Sequence, residues 1–443
     1  MYRQGSFPGR ARPRTRWCAV LGVTVTAAAI VAACATRAEH RITVYYAPEE
    51  NFPTVIERCA DALGEGYELA YRQLPRDADG QREQLVRRLA AGDSDLDILG
   101  LDVTWVPEFA EAEWIEEWTG DHAERATEGV LDAPLETARW DGALYAATKN
   151  TNVQLLWYDE ALTPEPPETW DEMLKMSAKL AERGEPHQIL FTGAQYEGLV
   201  VQFNTIVASL GGRIISEDGR RVVMDEQVVA GLELLARVAS SGLTHPALIT
   251  AQEEDVRHAF EATDSRAAFQ MNWPYVYAAM REGNPERFET MRWTTYPAVR
   301  EGEPARTTIG GYHIAVSSFS QHTDEAFEAA LCLRNVENQK FSAIHDGVPP
   351  TIEALYTDDT PLDPSRPVDQ ADNPSMATAY PMRETILEAL RDAAVRPLTP
   401  AYQNVSTVTS RILSPVDRLD PEAAAQRLND ELSDALELRG VLP

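Results

Sequence analysis

The feature that most constrains this fold is the stretch ATKNTNVQLLWY at residues 147–158. Apolar residues over about 144–148 and 153–158 predict two strands, and the second lacks alternation, as a strand buried on both faces does. Between them stand Lys149, Asn150, Thr151 and Asn152, polar side chains with no Gly or Pro to make a simple turn. The arrangement predicts a polar crossover between two lobes, with Asn152 facing the cleft. A plain polar loop is the alternative for this stretch taken alone.

Two lobes also suit the length. At 443 residues the chain exceeds the roughly 250–300 at which single cores stop growing. The formal net charge of -30 argues against nucleic acid or anionic lipid as partners, since both are repelled, and is read as a solvated surface.

The first residues are read as an address. Arg10, Arg12, Arg14 and Arg16 form a basic region, followed by an apolar core over 20–32 that is short for a membrane span. It closes in Val31-Ala32-Ala33-Cys34, the form of a bacterial lipobox. Residues 1–33 are therefore expected to be a lipoprotein signal peptide and 34–40 a tether lipidated at Cys34. An ordinary signal peptide or a short membrane anchor is the alternative. Lipidation places the protein outside the cytoplasm, held at the cell membrane by its acyl chains. Cys18 leaves with the signal, so Cys59 and Cys332 remain in an oxidising compartment where they can pair. The eight His are scattered without metal-ligand spacing, and no metal or cofactor is expected.

Along the mature chain, strands at 41–46, about 67–74 and 96–101 alternate with helices opened by Pro53 and running over 81–91. That alternation predicts a parallel sheet, whose ligands sit outside the carboxyl ends of its strands. Asp102 stands at such an end, as do Glu49, Glu50 and Asn51. Trp105, Phe109, Trp114 and Trp118 recur at near-helical spacing and read as core. Residues 211–224 predict a hairpin turning at Asp218-Gly219. Glu253, Glu254 and Asp255 open a helix, and a strand over 267–271 delivers Asn272-Trp273, placing Trp273 at the mouth of a sheet. Gly310-Gly311 inside TIGGYHIAV predicts a bulge or a close backbone approach. The polar run Arg396-Pro397-Leu398-Thr399-Pro400-Ala401-Tyr402 interrupts a helical C-terminal region.

Eight segments in order carry a family resemblance: LPRDADGQREQLVRRL, LGLDVTWVPEFAEAEW, NTNVQLLWY, EGLVVQFNT, NWPYVY, TIGGYHIAV, FEAALCLRN and DAAVRPLTPAYQ. The chain resembles the family 1 extracellular solute-binding proteins of carbohydrate ABC importers. Within them it is similar to the trehalose-binding lipoproteins of the mycobacterial trehalose-recycling importer. The resemblance implies an α/β, two-lobed periplasmic-binding-protein-like fold (type II) with several hinge crossings. Lobe I comprises residues 41–152 and 307–350, and lobe II residues 153–306 and 351–443. It also implies a Cys59–Cys332 disulfide, a disaccharide ligand (trehalose), ABC permease subunits with a cytoplasmic ATPase as partners, and a monomer.

Carried over, the sugar contacts are Asp102, Asn152, Glu253, Trp273 and Arg396, with Gly311 and Tyr312 nearby. Glu50, Asn51 and Glu254 are secondary candidates. Ionised Asp102 and Glu253 accept hydroxyl hydrogen bonds, Arg396 offers a planar fork of donors, and Trp273 offers an apolar face to a pyranose ring. The alternative for Arg396 is a surface salt bridge, and for Glu253 a charge favoured at a helix start. Tyr312 occupies a place where the resemblance leads one to expect a smaller aliphatic residue, which leaves another disaccharide as the second reading. A glycosidase using Asp102 and Glu253 is the rival class, opposed by the absence of a G-x-S-x-G motif and by carboxylates set on opposite lobes.

Overall fold

The computed structural model describes residues 40–64, 66–366 and 373–439. Cys18, Cys34 and the signal and tether assigned to residues 1–39 lie outside the described residues. Among the described residues eleven strands run in chain order: β1 (His40–Tyr46), β2 (Tyr67–Gln73), β3 (Ile98–Asp102), β4 (Arg139–Trp140), β5 (Ala143–Leu144), β6 (Ala147–Asn152), β7 (Leu155–Asp159), β8 (Gln188–Leu190), β9 (Ala267–Asn272), β10 (Met291–Thr294) and β11 (Gly310–Val316).

They form two mixed sheets in two lobes, plus the small β4–β5 ribbon. The first sheet has the order β2-β1-β3-β11-β6 and the second β10-β7-β9-β8. β1 pairs parallel with β2 and β3, as the strand–helix alternation predicts. β11 returns antiparallel between β3 and β6, setting Tyr312 opposite Asp102 on one side and Asn150 on the other. The helix Phe52–Leu63, with Pro53 in its first turn, buries Phe52, Val55, Ile56 and Cys59 on one face. Its Cys59 is bonded to Cys332 of the helix Thr323–Leu333, tying two helices of the first lobe together.

β7 explains its own sequence. Leu156 and Tyr158 enter the core that holds Trp170, Phe203 and Phe269. Leu155 and Trp157, with Val153 before them, enter the core of Phe260, Met280 and Tyr380. A strand packed on both faces has no polar side to alternate with.

Two sequence expectations change. Lys149, Asn150, Thr151 and Asn152 belong to β6, not to a crossover loop, and the crossing shrinks to Val153-Gln154. Lys149 and Asn150 tolerate a buried strand because they have polar partners: Asn150 donates to the Tyr46 hydroxyl and to Glu49, and Lys149 pairs with Glu49 at 2.6 Å. Residues 211–224 form a turn at Asp218-Gly219 with one isolated bridge, Ile215 to Val222, instead of a full hairpin.

Candidate binding cleft

The carboxyl end of β3, the β6 end and the start of β11 face the second lobe across a cavity of about 480 Å³. That is within the roughly 300–1,000 Å³ typical of small-molecule sites. From the first lobe Asp102, Asn150, Asn152, Gly310, Gly311 and Tyr312 reach it; across from them stand Glu197, Glu253, Trp273 and Arg396.

Arg396 is the densest knot. Its Nη2 donates to Asp102 Oδ1 at 2.9 Å and its Nη1 to Glu197 Oε1 at 2.5 Å. Only 3% of Arg396 is exposed, so this is a buried triad and not a surface salt bridge. Burial alone would lower the guanidinium, but Asp102 and Glu197 hold it above its ordinary value. Burial pushes the Glu197 carboxyl up, and Arg396 opposes that rise. Glu197 opens the wholly buried helix Glu197–Ser209, and it also accepts from the Tyr402 and Ser406 hydroxyls of the helix Tyr402–Leu413. Asp102 is aimed by Thr104, whose amide and hydroxyl donate to Oδ1 at 3.0 and 2.8 Å.

Trp273 follows β9 directly. Buried Asn272 fixes it, accepting from the Trp273 amide at 2.8 Å while donating to the Glu253 carbonyl at 3.1 Å. The Trp273 ring lies against Gly310, where an added Cβ would come within 3.0 Å of it. At Gly311, φ is +129° and a Cβ would sit 2.5 Å from the Asn150 carbonyl oxygen. The paired glycines are thus the predicted close approach, with a register shift just after them.

The Tyr312 hydroxyl donates to Gln81 at 3.0 Å, its amide to Asn150 at 2.8 Å, and its ring meets Tyr46 at 5.5 Å. Glu253 heads the helix Glu253–Glu261, begun by a capping box of Gln252 and Asp255. Burial pushes the Glu253 carboxyl up. Glu254 also reaches the cavity but is taken by Arg257 at 2.7 Å. Glu50 lines the mouth; Asn51 does not, because its amide group donates to Asp346 at 2.8 Å. Burial, then Glu49, push the Asp346 carboxyl up to about 6.

Five described residues of the wall keep buried polar atoms without partners: Asn152 Oδ1, the Tyr196 and Tyr275 hydroxyls, Asp346 Oδ2 and Arg396 Nε. Buried polar groups are nearly always paired, so a wall holding such atoms is suited to a hydroxyl-rich guest. Sequence reading missed Glu197, Asn272, Gln81 and the Glu49–Lys149 pair. The one signal for Glu197 was a lone acid at the head of an apolar helical run.

The sequence model of the bacterial extracellular solute-binding protein family matches residues 66–340. The chain belongs to that family of binding proteins, which are not enzymes. The chain is 27% identical over 427 residues to the probable ABC transporter-binding protein of Deinococcus radiodurans, covering 90% of this chain and 93% of that one. Among solved structures, maltose-bound MalE3 of T. maritima is 25% identical, with a TM-score of 0.78 over 88% of this chain and 98% of its own. A solute-binding protein of Thermotoga lettingae bound with α-D-tagatose has 19% identity and a TM-score of 0.74 over 89% and 99%. The latter likeness is of fold alone. Among the described residues no helix is long and apolar enough to cross a membrane.

Proposed function

We propose that this chain is the substrate-binding lipoprotein of a carbohydrate ABC importer, capturing trehalose or a close analogue between its lobes. The observation that carries the reading is one cavity walled by Asp102 and Arg396 at one place and the Trp273 ring at another. Such a wall suits a pyranose, with a flat face for its C–H side and paired donors and acceptors for its hydroxyls. Asp102, Asn152, Glu253, Trp273 and Arg396 would hold the sugar, Gly311 and Tyr312 would shape its seat, and Glu50 and Glu254 would border the mouth. Lobe I would comprise 41–152 and 307–350, and lobe II 153–306 and 351–443, closing on the ligand by hinge motion. A permease would recognise the closed form, and Cys34 would carry the lipid anchor.

Maltose is the second reading, favoured by the maltose-bound structure to which the chain is similar. Calorimetry of the soluble form beginning after Cys34 against trehalose, maltose, sucrose and glucose tests both. Trehalose binding that is lost in Trp273→Ala supports the first. Binding of maltose alone selects the second, and silence with all four removes the sugar reading.

A further inference from the structure

Resting on the proposed hinge closure, we infer that Asp79 and Gln403 form a clasp between the lobes that sets how long a ligand is held. Gln403 Nε2 donates to Asp79 Oδ1 at 3.0 Å, across 324 residues of chain. Neither residue lines the cavity, so neither is placed to touch the sugar.

Each end of this bond is rooted in a different lobe. Asp79 lies in the first turn of the helix Ala78–Leu89, whose Leu85 and Leu89 enter the core of Val44, Leu99 and Ile314. Arg82 of that helix grips Glu108 with two donors, Nε at 2.7 Å, which fixes the helix to the first lobe. Gln403 lies in the helix Tyr402–Leu413, whose Val405, Val408 and Ile412 enter the core of Leu156, Phe203 and Phe269. Thr407, one turn on, accepts from the same Gln403 nitrogen at 3.3 Å and helps to aim it.

Asp79 has no task in its own lobe that would account for it. The helix is already capped by Asp77, which accepts from the Gly80 amide at 2.7 Å. Among the described residues Gln403 is the one group that donates to the Asp79 carboxylate. The two helices also stand behind the cavity wall. Gln81 accepts from the Tyr312 hydroxyl on one side, and on the other Tyr402 and Ser406 hold Glu197, the partner of Arg396. Lobes that part at Asp79–Gln403 therefore carry Tyr312 and Arg396 away from each other. The Arg396–Asp102 bridge lies inside the cavity, where a sugar competes for both groups. The Asp79–Gln403 bond lies outside it and does not compete with the ligand. A bond made in the closed form alone favours that form by its own strength, and a charged acceptor makes it one of the stronger kind.

The test measures lobe separation and ligand release in the soluble protein beginning after Cys34. Nitroxide labels on Glu124→Cys and Glu233→Cys report the distance between lobes by pulsed electron resonance. Both sites are exposed, on the helices Gly120–Thr127 and Glu226–Ala239. Without sugar, the parent is expected to show a short-distance population that Asp79→Ala and Gln403→Ala each reduce about three- to tenfold. The double variant should fall no further than either single one, since both remove the same bond. Asp79→Asn, which keeps a carbonyl acceptor, should restore most of the population. With trehalose and maltose as stopped-flow probes, dissociation should quicken by a similar factor while association changes by less than about twofold. Distances that neither variant moves, or dissociation that neither quickens, overturn the clasp and leave the sugar reading intact. Losses that add in the double variant overturn it as well. Shifted distances with silence from both sugars keep the clasp and remove those sugars as ligands.

Discussion

Arg396 and Asp102, 294 residues apart in the chain, meet at 2.9 Å across the cleft. Asp102 ends a strand of the first sheet, and Arg396 is anchored by Glu197 and the helix behind it in the second lobe. One ion pair therefore joins the two walls that a ligand must touch. Removing the guanidinium leaves Asp102 and Glu197 buried without a counter-ion. Arg396→Ala should lower unfolding free energy by about 3–5 kcal/mol, read by urea denaturation, and abolish sugar binding. A loss below 1 kcal/mol, the size of a surface pair, would contradict the buried-triad description.

The glycine pair should resist even the smallest side chain. At Gly311 the backbone conformation and the Asn150 carbonyl both exclude a Cβ. Gly311→Ala is expected to cost about 2–4 kcal/mol by chemical denaturation. Gly310→Ala should be milder for stability, because the atom it meets belongs to the Trp273 ring, and should instead weaken sugar affinity by displacing that ring.

Asp346 gives stability a pH dependence of defined sign. Its carboxyl is pushed from 3.8 up to about 6, so the folded protein holds this proton more tightly than the unfolded chain does. Its contribution favours folding at low pH and is lost as pH rises through about 6. Asp346→Asn should therefore be more stable than the parent by about 1–3 kcal/mol at pH 7.5, with the gap closing near pH 4. A gap that does not vary with pH would count against the assignment.

Reducing the Cys59–Cys332 bond reopens a loop whose ends are 273 residues apart. The double change Cys59→Ser, Cys332→Ser should cost about 2–4 kcal/mol and lower the melting temperature, with unfolding followed by circular dichroism.

Much of this architecture was legible because local pattern and tertiary role coincide. The parallel β1–β2–β3 unit follows from its strand–helix alternation, and Asp102 from its place at a strand end. Trp273 was found by the same rule, and Gly310-Gly311 by the oddity of paired glycines in a strand. Lys149 to Asn152 misled because a buried strand carrying Lys149 and Asn150 makes sense only once Glu49 and Tyr46 are seen beside it. Glu197 was not legible for a related reason. Its partners Arg396, Tyr402 and Ser406 lie about two hundred residues further on, and no spacing within the chain announces that they converge.

The measurement that tests the central claim most directly is a crystal structure of the soluble protein grown with saturating trehalose. The account predicts one sugar between the lobes, a pyranose ring over Trp273, and hydroxyls within hydrogen-bond distance of Asp102 and Arg396. Trehalose bound outside this cleft, or a cleft left without sugar at saturation, would contradict it.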